Sequence, residues 1–440
     1  MQNATQICGA LNPHCNCQVH SRCDATAGTG ACLSGSLKAN QQQEKTRALG
    51  GGANSSSLVL KHSRSGAATA DPQPANNNSK AVPTYTINLD LPADERWAKV
   101  AAVFAPQIKA VVAVVKARIP KLALPLLEPI GDDLEAYLPA PYAAEVASIA
   151  AIAGVTPAEL FLMNVYYDVT TACTSIVAAH ANGTVFHGRN LDYGIPGLQG
   201  LTADVVFEAG GAVAYRGTTY VGYVGLLTGL RPGAFSVSID ERDTPGGKVW
   251  ENAAEAFLKG GHSIGLFLRS LLQDHTTLDE AIGVVQSAHL DAVRTTPIRY
   301  LLALSRSSSY PPLLLYLYLF PTQLTPPLVA TQPAYIIMGG TGGQGAIVTR
   351  ERESTADTWM IDAAAGRWFL VETNDDHWEP PQDIRRDAAN KHMNATTPAA
   401  LTQGFMFGVQ SAFPNLNAET TYTTVMSVDG GVYYTVTRNN

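Results

Sequence analysis

The globular part of this sequence has almost no cysteine. Only six cysteines occur among 440 residues, and five of them lie close to the start, namely Cys8, Cys15, Cys17, Cys23 and Cys32. Their spacing fits a zinc site poorly. The sixth, Cys173, stands alone in the rest of the chain. Residues 33–440 therefore cannot form a disulfide among themselves. A single thiol in a large core is most often a small buried apolar side chain, and its surroundings decide whether it has a chemical role.

The chain also lacks a strong charge excess and a long apolar run. The formal net charge is -7 at pH 7, which excludes the basic excess typical of nucleic-acid-binding proteins. We therefore predict no nucleic-acid partner. No apolar run reaches the roughly 18 residues of a membrane-spanning helix. Residues 1–11 have neither the basic start nor the apolar segment of a secretory signal peptide, and none is predicted.

Two stretches differ from the rest in composition. Residues 1–82 are rich in Ala, Gly, Ser, Asn and Gln and poor in large apolar side chains. Such a composition cannot bury enough surface to offset chain entropy, so we predict a disordered tail. Residues 294–332 combine a serine run, leucine and tyrosine repeats and many prolines. This second stretch is interpreted as an insertion in a loop.

Helical and strand-like patterns alternate from Pro83 onward. Residues 85–91 alternate like a strand, residues 100–119 follow a helical period, and Thr156-Pro157-Ala158-Glu159 is a typical helix start. Further strands are predicted over 174–179, 184–193, 203–209, 212–216, 221–227, 235–239, 334–338, 346–350, 358–362 and 368–372. Further helices are predicted over 249–258, 264–273 and 278–289. This order predicts an α+β fold in which helices stack on long antiparallel sheets.

Cys173 lies at the start of a predicted β-hairpin. Asn182-Gly183 favours a two-residue turn, which would place Cys173 directly opposite Asp192 with Cβ atoms about 5 Å apart. Arg189 would then point to the other face of the strand unless a bulge or its long side chain brought it back. The alternative interpretation of Arg189 and Asp192 is an ordinary surface pair, which contributes little to stability.

The hairpin residues resemble a known family. Cys173-Thr174-Ser175-Ile176-Val177 and His187-Gly188-Arg189-Asn190-Leu191-Asp192-Tyr193 are similar to the signature of the acid ceramidase and N-acylethanolamine-hydrolysing acid amidase family, which is related to choloylglycine hydrolases. Later matches follow in order, including Asp240-Glu241-Arg242, Thr373-Asn374 and Arg385-Arg386. The resemblance covers about residues 84–400. The chain departs from the family pattern in the 294–332 insertion and in the Asp383-Ile384 pair before the two arginines.

The resemblance implies an N-terminal-nucleophile fold, an αββα sandwich of two antiparallel sheets flanked by helices. It also implies a precursor that cuts itself between Ala172 and Cys173. The products would be a helical small (α) subunit, residues 83–172, and a large (β) subunit, residues 173–440, which remain together as a heterodimer. The cut frees an α-amine, whose pKa near 7.7–8.0 is close to neutrality. One residue can then serve as nucleophile and as acid and base.

Five further residues receive roles from the same resemblance. Asp192 would orient the freed amine, and Arg189 would hold the Asp192 carboxylate and help to fix substrate. Asn374 would donate a hydrogen bond to the developing oxyanion, and Arg385 would complete the polar network. Glu241 would transfer a proton during self-cleavage.

The implied reaction is hydrolysis of the amide bond of an N-acylated lipid, without a cofactor or a metal. The substrate would be ceramide, giving sphingosine and fatty acid, or an N-acylethanolamine, giving fatty acid and ethanolamine. Apolar residues 111–119 and 122–130 would either make peripheral membrane contact or form core. A lysosome or other acidic lumen follows from the resemblance. The alternatives are an amidase for another acyl amide, such as a bile-salt-like compound or an acyl-homoserine lactone, and an inactive lipid-binding relative.

Overall fold

The computed structural model describes residues 79–119, 133–136, 138–166, 172–242, 263–287, 333–351 and 354–438. The strands in this part of the chain are β1 (Ser79–Ala81), β2 (Thr84–Asn88), β3 (Ala172–Ala179), β4 (Val185–Asp192), β5 (Thr202–Ala209), β6 (Ala212–Tyr220), β7 (Thr228–Arg231), β8 (Phe235–Glu241), β9 (Ala334–Gly339), β10 (Gly345–Arg350), β11 (Thr355–Met360), β12 (Phe369–Glu372), β13 (Thr420–Ser427) and β14 (Val432–Arg438). The α-helices are α1 (Ala98–Arg118), α2 (Ala140–Ala153), α3 (Pro157–Tyr166), α4 (Ile264–Asp274), α5 (Leu278–Ser287), α6 (Arg385–Asn394) and α7 (Gln403–Gln410).

The strands form two sheets. The six-stranded sheet has the order β1-β14-β13-β4-β3-β12, and the eight-stranded sheet has the order β11-β10-β9-β8-β7-β6-β5-β2. Two sheets flanked by helices confirm the predicted sandwich. One pairing differs from the prediction, because β2 runs parallel to β5. A parallel pair needs a long crossover, usually helical, and the segment that carries α1, α2 and α3 supplies it. The N-terminal segment thus adds β1 to one sheet and β2 to the other.

Strand β3 lies inside the sandwich with both faces covered. On one face, the Ser175 hydroxyl lies 3.0 Å from the Ser238 hydroxyl of the opposite sheet. On the other face, Ile176 packs in a cluster with Met393 and Met406 from α6 and α7. Because side chains alternate along a strand, Cys173 shares the face of Ser175, which points to the eight-stranded sheet.

The helices of the N-terminal segment pack as core. The predicted helix start is confirmed, since the Thr156 amide donates to Glu159 Oε2 at 3.0 Å and the Glu159 amide donates to Thr156 Oγ1 at 3.2 Å. Helix α1 is long and apolar enough to cross a membrane, but Val111 and Val115 are buried in the main hydrophobic cluster. The apolar face over 111–119 is therefore core rather than a lipid surface.

Some predicted elements differ from the structure or lie outside it. Strand β1 lies before Pro83, so the predicted boundary of the disordered tail at residue 82 is wrong by at least the length of this strand. Residues 221–227, predicted as a strand, form a loop in which Gly222 has a φ of 111° and Asn164 Nδ2 donates to the Gly222 carbonyl at 2.8 Å. The tail up to residue 78, residues 122–130, the helix over 249–258 and the insertion over 294–332 lie outside the described residues.

Candidate active site

The hairpin that carries the cysteine has a different register from the predicted one. Cys173 lies opposite Leu191, and Asp192 lies opposite Ala172, so the predicted pairing of Cys173 with Asp192 is wrong by one residue. The turn explains the shift. The Gly183 amide donates to the His180 carbonyl at 2.9 Å, and Gly183 has a φ of 91°. This is the three-residue hairpin loop with a left-handed glycine, which competes with the two-residue turn.

The corrected register places Arg189 on the same face as Cys173. Arg189 lies opposite Ser175, so no bulge is needed to turn its side chain toward the cysteine. The guanidinium is fully buried and its Nη1 lies 2.6 Å from Asp240 Oδ1 on β8. The prediction that Arg189 holds the Asp192 carboxylate is therefore wrong, because its ion-pair partner comes from the other sheet.

Asp192 is held by three other side chains. Its carboxylate accepts hydrogen bonds from Thr420 Oγ1 and Asn417 Nδ2, each at 2.7 Å. Arg385 Nη1 lies 3.6 Å from Asp192 Oδ2. Burial raises the pKa of Asp192 to about 6, although these donors and the charges of Arg385 and Arg189 oppose the rise.

Polar groups of two side chains fix the backbone of Cys173 on both sides. Its amide N–H donates to Asn374 Oδ1 at 3.1 Å, and its carbonyl oxygen accepts from Arg385 Nη1 at 2.6 Å. Its sulfur lies 3.8 Å from the Ile239 carbonyl oxygen. The side chain is fully buried. Burial raises the pKa of the Cys173 thiol to about 12, against the charge of Arg189, so proton removal requires a base.

Arg385 connects the cysteine with the other predicted site residues. Its Nη2 donates to Asn374 Oδ1 at 2.8 Å, and its Nε donates to Asp383 Oδ2 at 2.9 Å. The neighbouring Arg386 instead donates to the backbone carbonyls of Asp375 and Asp376. Of the two adjacent arginines, Arg385 is the one that contacts Cys173.

Asn374 and Glu241 meet through the backbone of β8. Asn374 Nδ2 donates to the Glu241 carbonyl oxygen at 2.8 Å. The Ala172–Cys173 bond is intact in this structure. The side-chain oxygen Oδ1 of Asn374 accepts a hydrogen bond from the Cys173 nitrogen, and the side-chain nitrogen Nδ2 of Asn374 donates to β8. Glu241 is half-buried at the end of β8, and its backbone makes the contact with Asn374.

Sequence reasoning missed several residues of this site. Asp240 was quoted in a motif without a role, yet it is the partner of Arg189. Successive strand residues point to opposite faces, so only one of Asp240 and Glu241 can face the cysteine. This alternation was the signal in the sequence that could have identified Asp240 as a second candidate. Asn417 and Thr420 lie in the last part of the chain, for which no role was predicted. Among the residues that the structure describes, no group of three or more His, Cys, Asp or Glu side chains is arranged to bind a metal.

Together, the two stacked sheets, the flanking helices and a buried cysteine at the start of a central strand correspond to the fold of the N-terminal-nucleophile hydrolases. Sequence comparison agrees with this class. A family model described as the beta subunit of N-acylethanolamine-hydrolyzing acid amidase matches residues 80–138. The match lies almost wholly within the segment predicted as the small (α) subunit, so the two subunit labels differ, and the description of one subunit indicates a two-subunit arrangement from one precursor.

Full-length relatives extend the comparison. The chain is 36% identical to the rat N-acylethanolamine-hydrolyzing acid amidase, over 81% of this chain and 89% of the relative. It is 30% identical to human acid ceramidase, over 82% of this chain and 87% of the relative. A solved structure of a Caenorhabditis elegans N-acylethanolamine-hydrolyzing acid amidase ortholog matches 60% of this chain and 98% of its own with a TM-score of 0.47 and 30% identity. The chain belongs to the family of N-acylethanolamine-hydrolyzing acid amidases and acid ceramidases, which hydrolyse amide bonds.

Proposed function

We propose that this protein is a self-cleaving cysteine amidase that hydrolyses the amide bond of an N-acylated lipid. The observation that carries the proposal is the pair of contacts at Cys173. Asn374 holds its nitrogen, Arg385 holds its carbonyl oxygen, and the sulfur is buried between the two sheets. Strand β12 pairs with β3 only as far as Ser175, so at Cys173 these two polar side chains take the place of a neighbouring strand.

Self-cleavage would begin at the bond between Ala172 and Cys173. The Cys173 sulfur attacks the Ala172 carbonyl carbon, the C–N bond breaks, and the nitrogen takes up a proton as it becomes an amine. Water then hydrolyses the resulting thioester, which leaves a carboxyl group on Ala172 and a free thiol and amine on Cys173. Because the pKa of the thiol is about 12 in the unbroken chain, this step needs a proton acceptor. Glu241 was predicted for this role, but it follows Asp240 on β8 and its side chain points to the other face of the strand. It can therefore take the proton only through an intervening water molecule.

The cleaved enzyme would use the new α-amine as its acid and base. The amine takes the thiol proton, the thiolate attacks the substrate carbonyl, and the protonated amine gives its proton to the leaving amine. Asn374 Oδ1, which already holds the Cys173 nitrogen, keeps the amine in place. Arg385 links the cysteine to Asp192, and Arg189 places a positive charge near the sulfur. Contact of Asn374 Nδ2 with the oxyanion is part of the proposal for the cleaved enzyme.

The relatives favour an acyl lipid as substrate and an acidic lumen, such as the lysosome, as the working compartment. Their names refer to N-acylethanolamine, to ceramide and to acid conditions. We infer that this chain hydrolyses one of these two lipid classes. Bile-salt-like amides and acyl-homoserine lactones are the competing substrates, and an inactive lipid-binding protein is the competing function.

A cleavage gel and an amidase assay test the proposal together. Wild type incubated between pH 4 and 8 should give fragments of 172 and 268 residues, and the larger one should begin with Cys173 on N-terminal sequencing. Cys173→Ala should stay whole and keep the circular dichroism spectrum of the wild type. Cleaved enzyme should hydrolyse palmitoylethanolamide or ceramide faster than conjugated bile salt. A wild type that stays whole at every pH and releases no fatty acid contradicts the proposal.

A further inference from the structure

One buried carboxylate next to the nucleophile has no role in the mechanism above. Asp240 on β8 is fully shielded from solvent. Its Oδ1 accepts hydrogen bonds from Arg189 Nη1 at 2.6 Å and from the Ser175 hydroxyl at 2.7 Å. Its Oδ2 has no hydrogen-bond partner among the described residues.

The partners of Asp240 are the immediate neighbours of the nucleophile. Ser175 lies two residues after Cys173 on the same face of β3, and Arg189 lies directly across from Ser175 on β4. Asp240 approaches both from the opposite sheet. One carboxylate oxygen therefore joins the strand of the nucleophile, the neighbouring strand and the facing sheet at a single point.

Arg189 depends on this contact for its position. Its Nε and Nη2 find no acceptor of standard hydrogen-bond geometry among the described residues, and both are buried. The guanidinium also interacts with Tyr422 and Cys173, and its ion pair with Asp240 at 2.6 Å is its contact with a carboxylate. A buried arginine without its carboxylate partner is strongly destabilised, so the guanidinium would move or recruit water if that charge were removed.

We propose that ionised Asp240 is a positioning residue for the amide hydrolysis, because its carboxylate holds the Arg189 guanidinium beside Cys173 and Ser175 fixes the carboxylate. Its contribution to the rate is therefore larger at neutral and alkaline pH than in an acidic lumen. The inference rests on the proposed function of Cys173. Other ionisable groups act on Asp240 as well. Arg385 contributes a second positive charge. The buried Glu372, which is on β12 and lies opposite Ser175 of β3, interacts electrostatically with Asp240.

The substitution Asp240→Asn tests the proposal, because it keeps the shape of the side chain and removes its charge. Burial raises the pKa of Asp240 to about 7, so wild type carries the charge at pH 8 and loses it at pH 5. Relative to wild type, kcat of the variant should fall about 10-fold or more at pH 8, as expected for a lost charge-assisted contact. At pH 5 the two should agree within about 3-fold. KM should change little at either pH.

Glu145→Gln is the matched control. Glu145 is also a fully buried carboxylate paired with a buried arginine, Arg269, and its contacts include no residue of the candidate site. Any loss of activity in this variant, measured per amount of folded protein, should be the same at pH 5 and pH 8. If Asp240 has only a structural role, the activity of Asp240→Asn relative to wild type should also be the same at pH 5 and pH 8. That result would overturn the proposal.

Ser175→Ala covers the case in which Asp240→Asn does not fold. This variant keeps the carboxylate but removes one of its donors, which raises the pKa of Asp240 further. Its activity relative to wild type should therefore be lowest near pH 7 and recover toward pH 8. A ratio that does not vary with pH contradicts the proposal. A wild type without self-cleavage or amidase activity defeats the proposed function and this inference together, whereas an active wild type with flat ratios defeats only the inference.

Discussion

Glu145 on α2 and Arg269 on α4 form a two-point ion pair that is closed to solvent on both sides. Arg269 Nη2 donates to Glu145 Oε1 at 2.8 Å, and Arg269 Nη1 contacts Glu145 Oε2. The Trp97 indole donates to the same carboxylate at 2.9 Å. Because Glu145 precedes the Ala172–Cys173 bond and Arg269 follows it, this pair would join the two fragments after cleavage.

Removing that carboxylate should weaken the protein severely. We expect Glu145→Ala to lower the free energy of unfolding by about 3–5 kcal/mol, because it leaves the buried Arg269 charge without its partner. Denaturant titration of the uncleaved Cys173→Ala protein would measure the change. Lys116→Ala is the control, since it breaks the exposed pair with Glu159 and should alter stability by no more than about 1 kcal/mol. Equal effects of the two substitutions would show that the buried pair is not special.

Asp192 should make the folded protein less stable as the pH rises. The pKa of Asp192 is raised from 3.8 to about 6 in the folded chain, so the folded state binds this proton more tightly than the unfolded state. The free energy of unfolding should therefore fall by on the order of 3 kcal/mol as the pH rises from about 4 through about 6. Asp192→Asn in the Cys173→Ala background should remove this component. A difference between the two proteins that stays constant over this pH range would contradict the prediction.

Asn374 should be needed for self-cleavage because it holds the nitrogen of the bond that breaks. We expect Asn374→Ala to slow the appearance of the two fragments about 10²-fold or more, the size of effect found when a preorganised active-site hydrogen bond is lost. Band intensities over time on a gel would give the rate. Asn164→Ala is the control, because Asn164 is also buried with its amide bonded to backbone carbonyls. Similar slowing in both variants would indicate a general folding defect.

The loop of the hairpin can be tested through its glycine. Gly183 has a φ of 91°, a conformation that a side chain disfavours, so Gly183→Ala should lower the free energy of unfolding by about 1–2 kcal/mol. Gly200→Ala is the control, since a Cβ there would meet nothing within 4 Å and its backbone is not left-handed. Thermal or denaturant unfolding would give both values. An unchanged Gly183→Ala protein would contradict the three-residue loop.

Local patterns in the sequence predicted most of the hairpin but not its register. The residues near Cys173 and Asp192 alternate like strands, and Asn182-Gly183 marked the turn. Two loop lengths are compatible with those turn residues, and they differ by one residue, which moves every side chain to the other face. The choice depends on what lies on either side of the sheet, so local sequence could not make it.

The ion pair of Arg189 with Asp240 was beyond sequence reasoning for a different reason. The two residues belong to different sheets, and their contact depends on how the sheets stack. The motif placed Asn374 at the site, 201 residues from Cys173, only through resemblance. Strand β13 was missed because it is buried along its whole length although many of its residues are threonines. The threonine hydroxyls bind polar partners, as Thr423 does with Asn190. No apolar alternation marks such a strand.

The placement of β1 and β2 determines what a single cut can release. Each of these two strands is hydrogen-bonded to a different sheet of the C-terminal part. Breaking the Ala172–Cys173 bond would leave the shorter polypeptide hydrogen-bonded to one strand of each sheet. Separating the pieces would require unzipping both sheets, so maturation should yield one inseparable particle, and mixing processed enzymes of two species should exchange no fragments without denaturant.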